Sequence, residues 1–503
     1  MPLLDVDTAL DLPGARIRSV GVAAEVDAVP REQAGGRRSD AAELDVELAD
    51  HGVPERGARL LADTLARLEM RPVLTIPLTD VSTVTTGGPH RGDADEPSLE
   101  VTVEAPLPDE GQVVLEVDAT GVVAWHVPLA AEASAERSGL EQVFRIPVRQ
   151  RDVPGEPPDG SAERGVLGFG VRKVLEVLRY PLHAAAGAVG ELAVAAWEGR
   201  FRPYGARLGS SVQALAARAD GFALSADQVR SWDGRPTLLL LHGTFSTGTA
   251  AFSHLLGDAD LARTLRDTYE SRVLVLDHPS LHVDPVENAR WLLARLPPDL
   301  DLVLDVVAHS RGGLVARALA APQTAEGLHR RPVQVRTTIH VGTPNSGTVL
   351  AGPERWGTLL DIMTNLAVLL PDDTVSAPLT AVIETVKQVA TGVLDGLDGL
   401  RAMAPGSDLL GNLTVPPSAR GRVFTVASDY EAVDAPVPLR ALDVLVDPFF
   451  GEGNDLVVPS QGVSTGMGAL ESHVVPRAPS VTHTAYFRDP AVRRLVAGWL
   501  SGG

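Results

Sequence analysis

Residues 301–320, DLVLDVVAHSRGGLVARALA, constrain this chain more than any other stretch. Leu302 to Val307 is apolar but for Asp305 and rich in Val and Leu, as a strand buried on both faces must be. Ala308-His309-Ser310-Arg311-Gly312-Gly313 follows at once, and Leu314 to Ala320 then reads as a helix. A serine on a strand-to-helix turn, with small residues two positions to either side, is the arrangement that presents a nucleophilic Oγ above a parallel sheet. Ala308 and Gly312 are small because helix and strand backbones must close together there, and Ala308 stands where the strict pattern has glycine. A Ser-Gly turn with no chemistry has the same local signature, so the serine has to be judged by its company.

From Pro236 onward the pattern alternates between strands and helices. Thr237 to Leu241, Arg272 to Leu276, the serine strand, Val333 to Val341 and Arg422 to Ala427 are the expected strands. Asp284-Pro285-Val286-Glu287 opens a helix through Leu296, with an N-cap, an N1 proline and a capping-box acid in order. That alternation predicts an α/β region with a mostly parallel sheet covered on both faces. The first of these strands ends in His242-Gly243-Thr244-Phe245, and in such a sheet the loop that follows lies beside the serine turn. The N–H of Thr244 is therefore expected to join the N–H of Arg311 in an oxyanion hole.

Five short motifs now stand in order: HGTFS, AHSRGG, VGTPNSG from Val341, NDLVVPS from Asn454, and VTHTAYF from Val481. Together they resemble the α/β-hydrolase superfamily over roughly residues 235–500, and within it bacterial lipases and related lipid-ester hydrolases are the most similar. The resemblance implies Ser310 as nucleophile, His483 as general base and Asp455 as the acid that orients it, in the chain order Ser…Asp…His that this fold uses. Only His473 and His483 lie beyond Asp455, and His473 reads as part of a last strand. His309 is a common neighbour of the nucleophile in lipases but sits on the wrong side of the turn to act as base. Asp429 competes with Asp455, because it follows directly on the strand Arg422 to Ala427.

The resemblance implies a serine esterase or lipase acting on lipid or other hydrophobic acyl esters, without a cofactor. An acyltransferase on the same triad is a rival, as is a non-catalytic scaffold that binds a partner through its acidic N-terminal third. His278, His282 and Asp284 form no metal site by spacing, since nothing fixes their geometry or adds a fourth ligand. Between Val349 and Thr414 the α/β region is interrupted by helical patterns. Leu359, Ile362, Met363, Leu366, Leu369 and Leu370 make one apolar face; Val382, Val386, Val389, Val393 and Leu397 make another. Either a lid over an acyl site or plain structural helices would present such faces.

The chain of 503 residues has room for more than this region. Its net charge of −21 is uneven: residues 1–165 hold 31 acidic and 15 basic groups. That argues against nucleic-acid binding and against electrostatic attraction to anionic membranes. The absence of cysteine excludes disulfides, thiolate metal sites and a cysteine nucleophile. No signal peptide is visible and the least polar stretch, Tyr180 to Gly190, is too short to span a bilayer, so the expectation is a cytoplasmic protein. Glu55 to Glu69 reads as a helix and Ile17 to Val26 as a strand. Leu99 to Val103, Val113 to Val117 and Phe144 to Val148 alternate with period two, which predicts antiparallel β structure. Residues 1–150 are thus expected to form a β-rich accessory domain, possessing no residue of the site and open to a protein partner. Residues 151–165 read as a linker; Val171 to Leu182 and Leu192 to Trp197 read as helices of a connector reaching residue 234, ahead of a hydrolase domain over 235–503 with its insertion at 349–414.

Overall fold

In the computed structural model the run Leu238-Leu239-Leu240-Leu241 faces two ways. Leu239 and Leu241 enter one apolar core, Leu238 and Leu240 another, so the strand has no polar position to spare. Val306 and Ala308 are divided from Val307 in the same manner. The structure describes residues 1–31, 37–83, 97–129, 141–148, 171–182, 198–199, 203–216, 221–270, 272–322, 324, 328–329, 333–370, 377–390, 397–413, 421–465, 467, 472–474 and 481–502. They fall into two compact units, residues 1–187 with 360–393 and 434–445, and residues 188–359 with 394–433 and 446–503.

The second unit is built on one sheet. Its strands lie in the order Gly221–Phe222, Gly205–Leu208, Val273–Asp277, Pro236–Leu241, Val303–His309, Gln334–Val341, Arg422–Val426 and Ser472–Val474. All neighbours are parallel except Gly205–Leu208 against Val273–Asp277. The helices Pro285–Leu293 and Gly312–Ala320 contribute to one core, while Gly248–Leu256, Ala259–Tyr269 and Pro490–Leu500 contribute to the other. Helices thus cover both faces of a mostly parallel sheet. Asp305, the lone acid of the serine strand, is buried but accepts hydrogen bonds from Tyr269 Oη (2.6 Å) and Arg336 Nε (3.2 Å).

The first unit holds two antiparallel sheets. One runs Leu3–Leu4, Val22–Val26, Arg71–Thr83, Val171–Pro181, Glu110–Asp118, Val123–His126; the other runs Glu141–Pro147, Ser98–Glu104, Ala15–Val20, Ala9–Leu12. Ile76, Leu78, Leu175 and Val177 of the first share a core with Ile17, Val101 and Phe144 of the second, which makes a sandwich. Its two lysine-bearing elements are closed as well. Lys173 is buried against Glu116, and Lys387 is buried with its Nζ 3.2 Å from Glu384 and over the Tyr180 ring.

Three sequence expectations are corrected here. Val171–Pro181 is a central strand, hydrogen-bonded on both sides, and no helix. Leu175 and Val177 enter the sandwich core while Val174 and Leu178 are buried outside it, and with both faces covered the apolar residues fall at positions that fit helical spacing equally well. The accessory unit therefore does not end at residue 150. The linker 151–165, the run Leu192 to Trp197 and Val393 lie outside the described residues.

The third correction concerns the insertion. The helix Trp356–Leu369 from residue 360 onward, and all of Ala377–Ala390, belong to the first unit. Asn365 donates to Val123 O (2.7 Å) and accepts from Val123 N–H (2.9 Å), Asp361 accepts from Trp125 N–H (2.8 Å), and Thr364 Oγ1 accepts from Trp125 Nε1 (2.9 Å). Spaced i, i+3 and i+4, these side chains close the open edge of Val123–His126 as a further strand would. Ala377–Ala390 packs on Glu110–Asp118 and on the helix Glu55–Arg67, and Tyr180 Oη donates to Lys387 O (3.1 Å). Leu366, Val382 and Val386 are spent in this packing, all at most 1% exposed, and do not form a lid with a free apolar face. Removing residues 1–165 is accordingly expected to strip the partners from Val171–Pro181 and from both helices, and to yield insoluble protein. A soluble truncation with an unchanged melting profile would contradict this arrangement. Among the described residues no helix is long and apolar enough to cross a membrane.

Candidate active site

The serine strand ends at His309 and the next helix begins at Gly312, leaving Ser310 and Arg311 on the turn. Ser310 has φ +53°, left-handed backbone that costs a residue with a side chain about 1–2 kcal/mol. Ser310 N–H donates to Val341 O (2.8 Å), and Gly313 N–H donates to Ser310 O (3.0 Å), which fixes the turn. A Cβ at Gly312 would stand 2.3 Å from Leu241 O and 2.7 Å from His242 O. Helix and strand can approach only because that position is glycine.

Ser310 Oγ lies 2.9 Å from His483 Nε2, and His483 Nδ1 lies 2.8 Å from Asp455 Oδ2. All three residues are buried, at 5%, 3% and 1% exposure. The carboxylate sets the imidazole tautomer: Nδ1–H donates to Asp455, so Nε2 is free to accept from the serine hydroxyl. Asp455 Oδ1 accepts from the N–H groups of Val457 (3.0 Å) and Val458 (2.7 Å), and Oδ2 also accepts from Tyr486 Oη (2.9 Å). Four donors thus replace the water this carboxylate lost on burial. Burial, and next the charge of Asp455, raise the Tyr486 phenol well above its ordinary pKa, so it remains a donor. Tyr486→Phe removes one charge-assisted hydrogen bond, and we expect kcat to fall about ten-fold. A steady-state comparison at matched folded fraction checks this.

His483 is also gripped through its main chain. Its N–H donates to Asp455 O (2.9 Å) and its carbonyl accepts from His309 Nε2 (2.8 Å). Burial, then the neighbouring His483, push the His309 pKa down to about 3, so it is neutral and takes no part as a base. The sequence reading passed over His309 and Tyr486 as positioning groups. For His309 the available signal was its place beside Ser310; for Tyr486 it was the spacing from His483, three residues on. Asp429 is exposed and lies against Gly453, where a Cβ would stand 2.3 Å from Oδ1. His473 lies on the strand Ser472–Val474, paired with Thr425.

The loop after Pro236–Leu241 comes up against Ser310. A Cβ at Gly243 would stand 2.6 Å from Ser310 Cβ and 3.1 Å from Oγ. Thr244 follows it, and among the described residues neither the Thr244 N–H nor the Arg311 N–H has an acceptor. Thr244 Oγ1 lies 3.7 Å from the sulfur of Met403, which is buried, as is Phe245. His278, His282 and Asp284 are each occupied separately. His278 stacks on His242 with ring centroids 4.1 Å apart, His282 Nδ1 lies 2.6 Å from Glu198, and Asp284 caps the helix Pro285–Leu293.

Residues 210–501 match the model of a family described as a domain of unknown function, DUF7379. A comparison with curated proteins found no match. Among solved structures, the chain is similar to the mature form of a Bacillus licheniformis lipase at 18% identity and a TM-score of 0.32, over 53% of this chain and 92% of that one. It is similar to lipase 1 of Pelosinus fermentans at 11% identity and a TM-score of 0.39, over 54% and 98% of the two chains. A metagenomic carboxyl esterase matches at 16% identity and a TM-score of 0.31, over 57% of this chain and 80% of its own.

Proposed function

We propose, for a chain that belongs to the DUF7379 family, that it is a serine hydrolase of carboxylic esters working through an acyl-enzyme. The observation that carries this reading is the unbroken hydrogen-bond chain from Ser310 Oγ through both nitrogens of His483 to Asp455. Ser310 attacks the ester carbonyl as its proton passes to His483 Nε2. The negative charge that develops on the carbonyl oxygen is held by the N–H groups of Thr244 and Arg311. Collapse breaks the C–O bond, and His483 returns the proton to the leaving alkoxide. Water then repeats the sequence, with His483 as base, and releases the acid.

An apolar acyl or alcohol group is the substrate this reading favours, because the apolar side chain of Met403 lies against Thr244. The reading needs no metal or cofactor. Labelling with an alkyl fluorophosphonate tests it, with the adduct mapped to Ser310, followed by p-nitrophenyl esters of increasing chain length. Adduct formation at Ser310 and turnover that rises from acetate to longer esters are expected. Protein that is folded but inert to both reagents would sink it.

A further inference from the structure

The guanidinium of Arg311 is wholly buried one residue after the nucleophile. Nη1 donates to Asn288 Oδ1 (2.9 Å), Nε donates to Gly399 O (3.2 Å), and Nη2 donates to Val283 O. Burial lowers its pKa to about 10, which leaves it charged at neutral pH. The opposite charge stands on the far side of the same loop. Glu198, also fully buried, accepts from the N–H groups of Ser280, Leu281 (3.0 Å) and His282 (3.0 Å), and from His282 Nδ1. The peptide units of residues 280–283 are therefore clamped between an anion on their N–H side and a cation at the Val283 carbonyl. Two buried charges are expensive to maintain, and an apolar contact would hold a loop as well.

What the cation reaches indicates a use for it. Gly399 N–H donates to Leu281 O (2.8 Å), and a Cβ there would stand 2.5–2.8 Å from the carbonyl oxygens of Ser280, Leu281 and Val283. From Gly399 the chain runs four residues to Met403, whose carbonyl accepts from Thr348 N–H (2.9 Å) and whose sulfur meets Thr244 Oγ1. A closed circuit results: Arg311 side chain, Gly399, Met403, Thr244, Gly243, and back to the serine turn. Arg311 and Thr244, whose N–H groups the ester-hydrolase reading assigns to the oxyanion, both lie on it.

We propose that the Arg311 side chain is a positioning residue that holds both N–H groups of the oxyanion hole, its own and that of Thr244, by tying the serine turn to residues 283, 288 and 399. The proposal rests on the ester-hydrolase reading above. It assigns the side chain a role separate from the backbone N–H of the same residue. Misplacing a donor by a fraction of an ångström weakens a bond made only in the transition state, so kcat should fall while KM holds.

The test uses the full chain with Arg311→Ala and Arg311→Lys, p-nitrophenyl butyrate kinetics, and the second-order rate of inactivation by an alkyl fluorophosphonate. For Arg311→Ala we expect kcat to fall about 100-fold, with KM within about two-fold and the inactivation rate falling in parallel. Guanidinium chloride at sub-denaturing concentration should restore at least a tenth of the wild-type rate, where sodium chloride of equal ionic strength restores none. Arg311→Lys keeps the charge but not the three-pronged fork, and should lose about ten-fold without rescue. If Arg311→Ala does not fold, Arg311→Lys decides alone. Wild-type kcat in either folded variant, or a loss in Arg311→Ala that guanidinium does not relieve, overturns the proposal. Wild-type protein that neither turns over the ester nor takes the fluorophosphonate overturns the ester-hydrolase reading beneath it.

Discussion

Alanine at position 310 is expected to lower kcat by on the order of 10⁶, the scale of losing a triad nucleophile, and to abolish fluorophosphonate labelling. The substitution removes one oxygen and keeps the backbone, so the melting temperature should move by only a few degrees. The turn itself depends on other atoms: Ser310 N–H to Val341 O, Gly313 N–H to Ser310 O, and the close passage of Gly312 over Leu241 O. None of these involves Oγ. Labelling that persists in Ser310→Ala would place the nucleophile elsewhere and remove the basis for the proposed mechanism.

Asparagine at position 455 carries the second large expectation, a loss on the order of 10⁴ in kcat. The geometry dictates how the amide must sit. Oδ1 accepts from the Val457 and Val458 N–H groups, so the amide oxygen has to stay there and the NH₂ must face His483 Nδ1. An NH₂ group donates to Nδ1 and moves the imidazole proton to Nε2, which then cannot accept from Ser310. Tyr486 Oη would lose its acceptor at the same point. Asp429→Asn, by contrast, changes an exposed side chain and should leave kcat unchanged. Measuring kcat and melting temperature for both variants checks the assignment. A folded, inactive Asp429→Asn beside an active Asp455→Asn would reverse it.

What could be read from the sequence divides along physical lines. The strands Pro236–Leu241 and Val303–His309 were legible because each is a short, largely apolar run that ends at a glycine-bearing turn. The strand Val171–Pro181 has the same burial, but its apolar residues also fit helical spacing, and no local signal separates the two. The helices Trp356–Leu369 and Ala377–Ala390 were legible as amphipathic, yet an apolar stripe does not say which sheet it will cover. Ser310, Asp455 and His483 stand in recognisable motifs. His309 and Tyr486 left a local trace in their spacing from Ser310 and His483, but the buried contacts of Arg311 and Glu198 span long sequence separations, such as Glu198 to the N–H groups of residues 280–282, and no spacing rule reports those.

The chain contains only two lysines, and both are interior to the first unit, Lys173 and Lys387 side chains being 6% and 5% exposed. Amine-directed reagents therefore find no lysine on the native surface, whatever its size. Acetylation, conjugation through lysine or amine-to-amine crosslinking can proceed at these side chains only after the first unit has opened. Their modification rate is a built-in reporter of that opening. The fluorophosphonate reactivity expected at Ser310 would report on the second unit, so the two reagents used together would time the loss of each unit within one sample.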